Sequence, residues 1–179
     1  MVQRKETKWE VMGWIFTVAV GTLLHFTYDW SGGNTVVAAV SAVNESTWEH
    51  MKLLAVPWIL WSVAEAVALR NADAPTLAAR AAGLLVGLVA VPTLYYTYTG
   101  VVGEHFLWAD IAVFLLAAAL GTVVSRWLLK VGKPAGMLWQ IVGALVLLGI
   151  GVLFVWWTYN APLLPLFQEV KTGLTGQTS

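Results

Sequence analysis

The chain has 179 residues, 59% of them hydrophobic and 11% charged, with a mean hydropathy of +0.73 and a formal net charge of zero. That composition excludes an ordinary soluble domain, because repeated apolar runs of about 18 residues or more mark an integral membrane protein. Cysteine is absent, which excludes disulfides, thiolate metal sites and cysteine catalysis.

Met1 to Lys8 is a short basic head with Arg4, Lys5 and Lys8. The first span is expected at about 9–28. It is too long for the apolar region of a signal peptide and no small-residue cleavage site follows, so it reads as a retained helix. Its far end carries His25 and Asp29, four apart and therefore on one face. Trp30-Ser31-Gly32-Gly33-Asn34 then breaks the helix. Thr35 to Val43 is apolar but too short to cross a bilayer, which predicts an interfacial or re-entrant segment.

The most polar run of the chain follows, Asn44-Glu45-Ser46-Thr47-Trp48-Glu49-His50-Met51-Lys52. Ser46-x-x-Glu49 is a capping box, in which the serine hydroxyl accepts from the Glu49 amide and the glutamate reaches back to the Ser46 amide. A second span is expected over 46–69, kinked at Pro57, which removes the amide that would bond the Leu53 carbonyl. Arg70 to Pro75 is a polar turn. The third span, at about 76–98, carries Gly83-x-x-x-Gly87 as a close-packing face and Pro92 as a second kink. It ends in Tyr95-Tyr96-Thr97-Tyr98-Thr99-Gly100. A loop with Glu104 and His105 leads to the fourth span, at about 106–129, with Asp110 near its start. A basic turn precedes the fifth span, at about 137–157. The remaining tail is too broken by proline to form a sixth.

The expected architecture is an all-α integral membrane bundle of five spans, a single transmembrane domain over 1–179. Arg4, Lys5, Lys8, Arg70, Arg80, Arg126, Lys130 and Lys133 fall on one side of this topology, and only Lys52 and Lys171 on the other. The positive-inside rule then puts the N-terminus in the cytoplasm and the C-terminus outside. Many of the 11 tryptophans fall near predicted membrane borders, where an interfacial belt would put them. Asp29, Glu45, Glu49, Glu104, Asp110, Glu169 and all three histidines collect at the outer level.

His25-Phe26-Thr27-Tyr28-Asp29-Trp30-Ser31-Gly32-Gly33 and Val43-Asn44-Glu45-Ser46-Thr47-Trp48-Glu49-His50-Met51-Lys52 resemble a bacterial membrane-protein family, number 6512 among the domains of unknown function. Tyr95 to Gly100, Leu107-Trp108-Ala109-Asp110 and Pro165-Leu166-Phe167-Gln168 are similar as well. The resemblance spans most of the chain and its Asn-Glu-Ser-x-Trp-Glu-His-x-Lys signature is specific. It implies a small multi-pass protein of the bacterial cytoplasmic (inner) membrane and no particular activity. In one respect the chain departs: the family's tail has Pro-Pro-His before the Leu-Phe pair, and Ala161-Pro162-Leu163 stands here. A site that used that histidine in relatives would be incomplete in this chain.

The residues expected to bind a ligand are His25, Asp29, Asn44, Glu45, Trp48, Glu49, His50, Lys52, Tyr96, Tyr98 and Asp110. Each has a plainer reading. Glu49 could simply cap its helix with Lys52 as ion-pair partner, and Glu45 could be a solvated loop charge. His25 could pair with Asp29, and Asp110 with Lys52. Glu104 and His105 sit in a loop where solvation suffices. Glu65 lies about 22 Å along the helix from His50. It could pair with Arg70 or Arg80, or act as a proton or ion relay within the span.

Three functions could use the outer cluster. The favoured one is an outward polar and aromatic pocket for a small solute or ion, in binding or transport. The second is a structural or accessory subunit whose polar network seals helix ends. The third is a zinc-dependent membrane hydrolase acting on lipid, with His25, His50 and His105 as ligands. No tight metal-ligand spacing is present, so no cofactor is favoured, zinc is the one the set could take, and an enzyme is not the leading reading. Partners are the lipid bilayer and a small solute or ion, with a homo-oligomer or larger membrane complex left open. Nucleic acid is excluded because the basic residues are ordinary cytoplasmic anchors.

Overall fold

The computed structural model describes residues 2–69, 76–132 and 136–168, with side chains from residue 8 onward. The expectations for Arg4, Lys5, Arg70, Lys133, Glu169 and Lys171 lie outside the described side chains. Among the described residues, six α-helices follow in chain order: α1 (Val2–Trp30), α2 (Thr35–Ala38), α3 (Thr47–Leu69), α4 (Thr76–Val102), α5 (Leu107–Val131) and α6 (Met137–Tyr159). A 3₁₀ turn at Pro165–Phe167 closes the described tail. Five of the helices are long and apolar enough to cross a membrane. A helix covers each expected span to within a residue, and all but α3 run two to seven residues beyond an expected end. A helix need not stop where its apolar run stops: Tyr95 to Val102 stays helical although its tip is polar.

Small residues set the packing. α4 is the central helix, making its most extensive contact with α5 and packing also on α3 and α6. A methyl group added at Gly83 would sit 2.6 Å from the Gly121 carbonyl oxygen, and one at Gly121 would sit 2.6 Å from the Gly83 oxygen. Gly87 meets Leu54 and Ala117 one turn further on. The Gly83-x-x-x-Gly87 face therefore packs within the bundle, against a stripe of Ala117, Gly121 and Ser125 on α5, in the small-residue mode of membrane helices. Gly143 brings α6 against the start of α4, where the Gln140 side-chain oxygen accepts from the Leu77 amide at 2.8 Å. That amide is one of the donors a helix start leaves unpaired. α3 and α4 continue through Pro57 and Pro92 without a break.

The tryptophans divide between two roles. Trp30, Trp108 and Trp156 are exposed at one end of the bundle, and Trp127 and Trp139 at the other, as an interfacial belt requires. Trp48 and Trp58 are core residues instead. The Trp48 ring packs on Phe154, Trp157 and Phe167, which pins the tail turn onto α3 and α6.

The segment between α1 and α3 folds back onto the helix ends. Asn34 caps the single turn of α2, its side-chain oxygen accepting from the Val36 amide at 2.8 Å. Ser41 is fully buried, accepts from Thr27 Oγ1 at 2.9 Å and donates to the Leu24 carbonyl. The expected interfacial or re-entrant segment is thus one helical turn followed by turns and bends, strapped to α1 through Ser41.

Candidate functional site

Two polar assemblies occupy the end of the bundle where α1 and α4 finish and α3 and α5 begin. They are separate, and the nine-residue polar run contributes to both.

The first is closed. Glu49 and Lys52 form an ion pair at 2.6 Å with both side chains almost wholly buried. Lys52 Nζ also donates to the Ala38 carbonyl at 2.8 Å and to Thr158 Oγ1 at 2.9 Å. An ammonium has three protons, and all three are used. Glu49 Oε2 accepts from the Val43 amide at 3.1 Å. The network ties α2, the segment that follows it, α3 and α6 together. The capping box forms only in its forward half: Ser46 Oγ accepts from the Glu49 amide at 3.3 Å. The reciprocal half is replaced, because the Ser46 amide donates to Asn44 Oδ1 at 3.0 Å while Glu49 turns to Lys52. A buried ammonium is a stronger partner for a carboxylate than a neutral amide.

The second assembly is open. A cavity of about 380 Å³ is lined by His25, Glu45, Thr47, His50, His105 and Asp110, with Tyr95 and Phe114 among its aromatic wall. Glu45 Oε2 lies 3.8 Å from His25 Nε2 and 3.5 Å from His50 Nε2. The two imidazole rings meet edge to face at 5.2 Å. His50 Nδ1 is 2.9 Å from the Ser46 carbonyl, which can only accept, so this nitrogen carries the proton. From the α4–α5 side, Asp110 Oδ2 is 3.1 Å from His105 Nδ1, and its other oxygen accepts from the Tyr98 hydroxyl. The Tyr98 oxygen in turn accepts from the Phe106 amide at 3.4 Å, which fixes the α4–α5 loop.

Of the residues expected at a site, His25, Glu45, His50 and Asp110 line the cavity, together with His105. Asn44, Trp48, Glu49 and Lys52 do not; they belong to the closed network and the aromatic core. Tyr98 stands behind Asp110, and Tyr96 meets Thr47 Oγ1 at 3.4 Å. Asp29 is exposed at the end of α1 and is not the partner of His25, whose ring faces Glu45. Lys52 is likewise not the partner of Asp110. In each case the sequence gives the level along the membrane but not the rotation of the helix. Around a possible metal the geometry also differs from expectation, since the three groups drawn together are His25, Glu45 and His50, whose ligand atoms lie within 4.8 Å of one another. His105 pairs with Asp110 instead. Thr47 and Tyr95 line the cavity and were not singled out. Leu163 is almost fully exposed and does not line it.

Glu65 meets Arg80, whose Nε donates to it at 2.6 Å. Arg80 Nη1 donates to Glu10 Oε2 at 3.0 Å, and all three side chains are buried. The Arg80 carbonyl accepts from Trp58 Nε1 at 3.0 Å. This triad joins α1, α3 and α4 at the end opposite the cavity. Glu10 escaped the sequence reading because an acid at the second position of the expected span, beside a basic head, looks like an ordinary border charge.

Five apolar helices long enough to cross a membrane, with two buried ionic networks among the described residues, define a multi-span helical membrane protein. Residues 1–177 match the model of a family described as "Family of unknown function (DUF6512)", and the chain belongs to that family. No curated protein and no solved structure matches it.

Proposed function

We propose that this chain is one transmembrane domain of the bacterial cytoplasmic membrane whose cavity faces outward and binds a small solute or ion, for capture or transport. The observation that carries the reading is the convergence of His25, Glu45, His50, His105 and Asp110 on one cavity of about 380 Å³. Ionisable groups turned into a membrane bundle are costly and mark ligand sites and ion paths. Two carboxylates beside an aromatic wall suit a small cation or a donor-rich solute, and the volume lies within the about 300–1,000 Å³ of small-molecule sites. The outward direction rests on Lys8, Arg126 and Lys130, which sit toward the opposite end.

The test is thermal unfolding of the purified protein in detergent against mono- and divalent cations, amines and heteroaromatic cations. At about 100 times its Kd, a ligand that binds only the folded state adds about 2.7 kcal/mol of stability. One class is expected to raise the midpoint, and Asp110→Asn and Glu45→Gln are expected to abolish that rise while keeping a folded protein. If no class shifts the midpoint, the cavity is not a ligand site.

A structural role is favoured for the other half of the polar run. Lys52 has every proton bonded, which leaves nothing to offer a ligand. Glu49 and Lys52 are accordingly read as the clamp that holds the cavity's frame.

A further inference from the structure

The three groups on the α1–α3 side of the cavity have a spacing that ordinary hydrogen bonding does not explain. His50 Nδ1 holds its proton toward the Ser46 carbonyl at 2.9 Å, so in the neutral ring Nε2 presents a lone pair. That lone pair faces Glu45 Oε2 at 3.5 Å, and His25 Nε2 faces the same oxygen at 3.8 Å. Both separations exceed the about 2.7–3.2 Å of a hydrogen bond from nitrogen to oxygen. Neighbouring ligands on a tetrahedral Zn²⁺, each about 2.0–2.1 Å from the ion, lie about 3.4 Å apart. The Ser46 carbonyl does for His50 what a second partner does for a metal-bound histidine: it fixes the tautomer and the ring. Glu45 itself is mostly exposed, so the carboxylate can close on an ion without breaking a buried contact.

We propose that His25, Glu45 and His50 bind a Zn²⁺-class divalent cation through two imidazole Nε2 atoms and one carboxylate oxygen, with the remaining coordination position open to the cavity. The proposal rests on the reading of that cavity as a ligand site and names its ligand. Two histidines and one glutamate are a set that leaves zinc a fourth position for water or an incoming ligand, whereas closed structural sites use four protein ligands. His105 lines the same cavity but is not one of the three groups. Asp110 holds its Nδ1 at 3.1 Å, and its Nε2 is buried without a hydrogen-bond partner.

The experiment uses the full chain, purified in detergent without a histidine tag, stripped with chelator and dialysed. Zn²⁺ is titrated calorimetrically, and Co²⁺ is added in parallel to read the visible absorption of a tetrahedral site. The wild type is expected to bind one equivalent. His25→Ala, His50→Ala and Glu45→Gln are expected to weaken binding by more than about 100-fold, beyond the 10–100-fold of outer-shell changes. Glu104→Gln, exposed in the α4–α5 loop and outside the cavity lining, keeps the equivalent. Because Glu45 is exposed, Glu45→Gln remains folded and decides the case even if a histidine variant does not. Absence of an equivalent in the wild type overturns the metal site, as does an affinity untouched by Glu45→Gln. If Zn²⁺ fails while an amine or other cation still raises the unfolding midpoint in an Asp110-dependent way, only the metal assignment falls. If nothing binds, both readings fall.

Discussion

Glu45 and Glu49 lie four residues apart in the same polar run, yet their surroundings give them opposite parts. Glu49 is sealed in with Lys52, so Glu49→Gln leaves an ammonium buried without its counter-charge. Breaking one side of such a pair costs about 3–5 kcal/mol, because the surviving charge has no solvent to return to. Lys52→Ala should cost a similar amount for the mirror reason, read as a fall in the unfolding midpoint in detergent. The sequence located this run and its capping serine, because Ser-x-x-Glu before an apolar stretch has a local physical meaning. It also offered Lys52 as the ion-pair partner of Glu49, which the structure shows, but not that the pair is buried and displaces the reciprocal half of the cap, since that depends on Ala38 and Thr158, which surround the ammonium from distant parts of the chain.

The helices were legible because a bilayer demands about 20 apolar residues per crossing, a signal far stronger than any propensity. Their rotations were not. Lys52 was one partner the sequence offered for Asp110, which instead meets Tyr98 and His105, its neighbours across the α4–α5 loop. The Gly83 and Gly87 face was visible as a motif, but its counterpart on α5 was not, since Ala117, Gly121 and Ser125 carry no signal without knowing which face is inside. The crossing yields a prediction of definite sign. Gly121→Ala sets a methyl group against the Gly83 carbonyl, where backbone cannot yield cheaply, and should destabilise by about 1–3 kcal/mol. Gly149→Ala on α6 meets nothing within 4 Å and should be neutral or mildly stabilising by helix propensity. Thermal unfolding of the two variants side by side checks the pair.

Across the bundle, the two buried ionic networks sit at opposite ends and clamp different helices. Arg80 binds Glu10 and Glu65 and draws α1, α3 and α4 together, while Lys52 and Glu49 secure the loop and α6. Arg80→Leu strands two buried carboxylates, so it should destabilise more than Glu10→Gln, measured as the loss of folded protein after heating. The direction of the bundle has its own test. A cysteine placed at Glu104, exposed in the α4–α5 loop, should react with a membrane-impermeant thiol reagent in whole cells, while one at Lys130 should react only after lysis. The reverse pattern would turn the cavity toward the cytoplasm.

The central claim is that the open cluster serves a ligand and the closed one serves the fold. The most direct measurement is the unfolding midpoint of ligand-free Glu45→Gln beside that of Glu49→Gln, in one detergent. For a chain of this size, 1 kcal/mol corresponds to about 2–4 °C. Glu45→Gln should stay within about 2 °C of the wild type, as exposed substitutions do, and Glu49→Gln should fall by about 6 °C or more. Equal losses in both variants, or a larger loss for Glu45→Gln, would make the cavity cluster part of the scaffold and contradict the account.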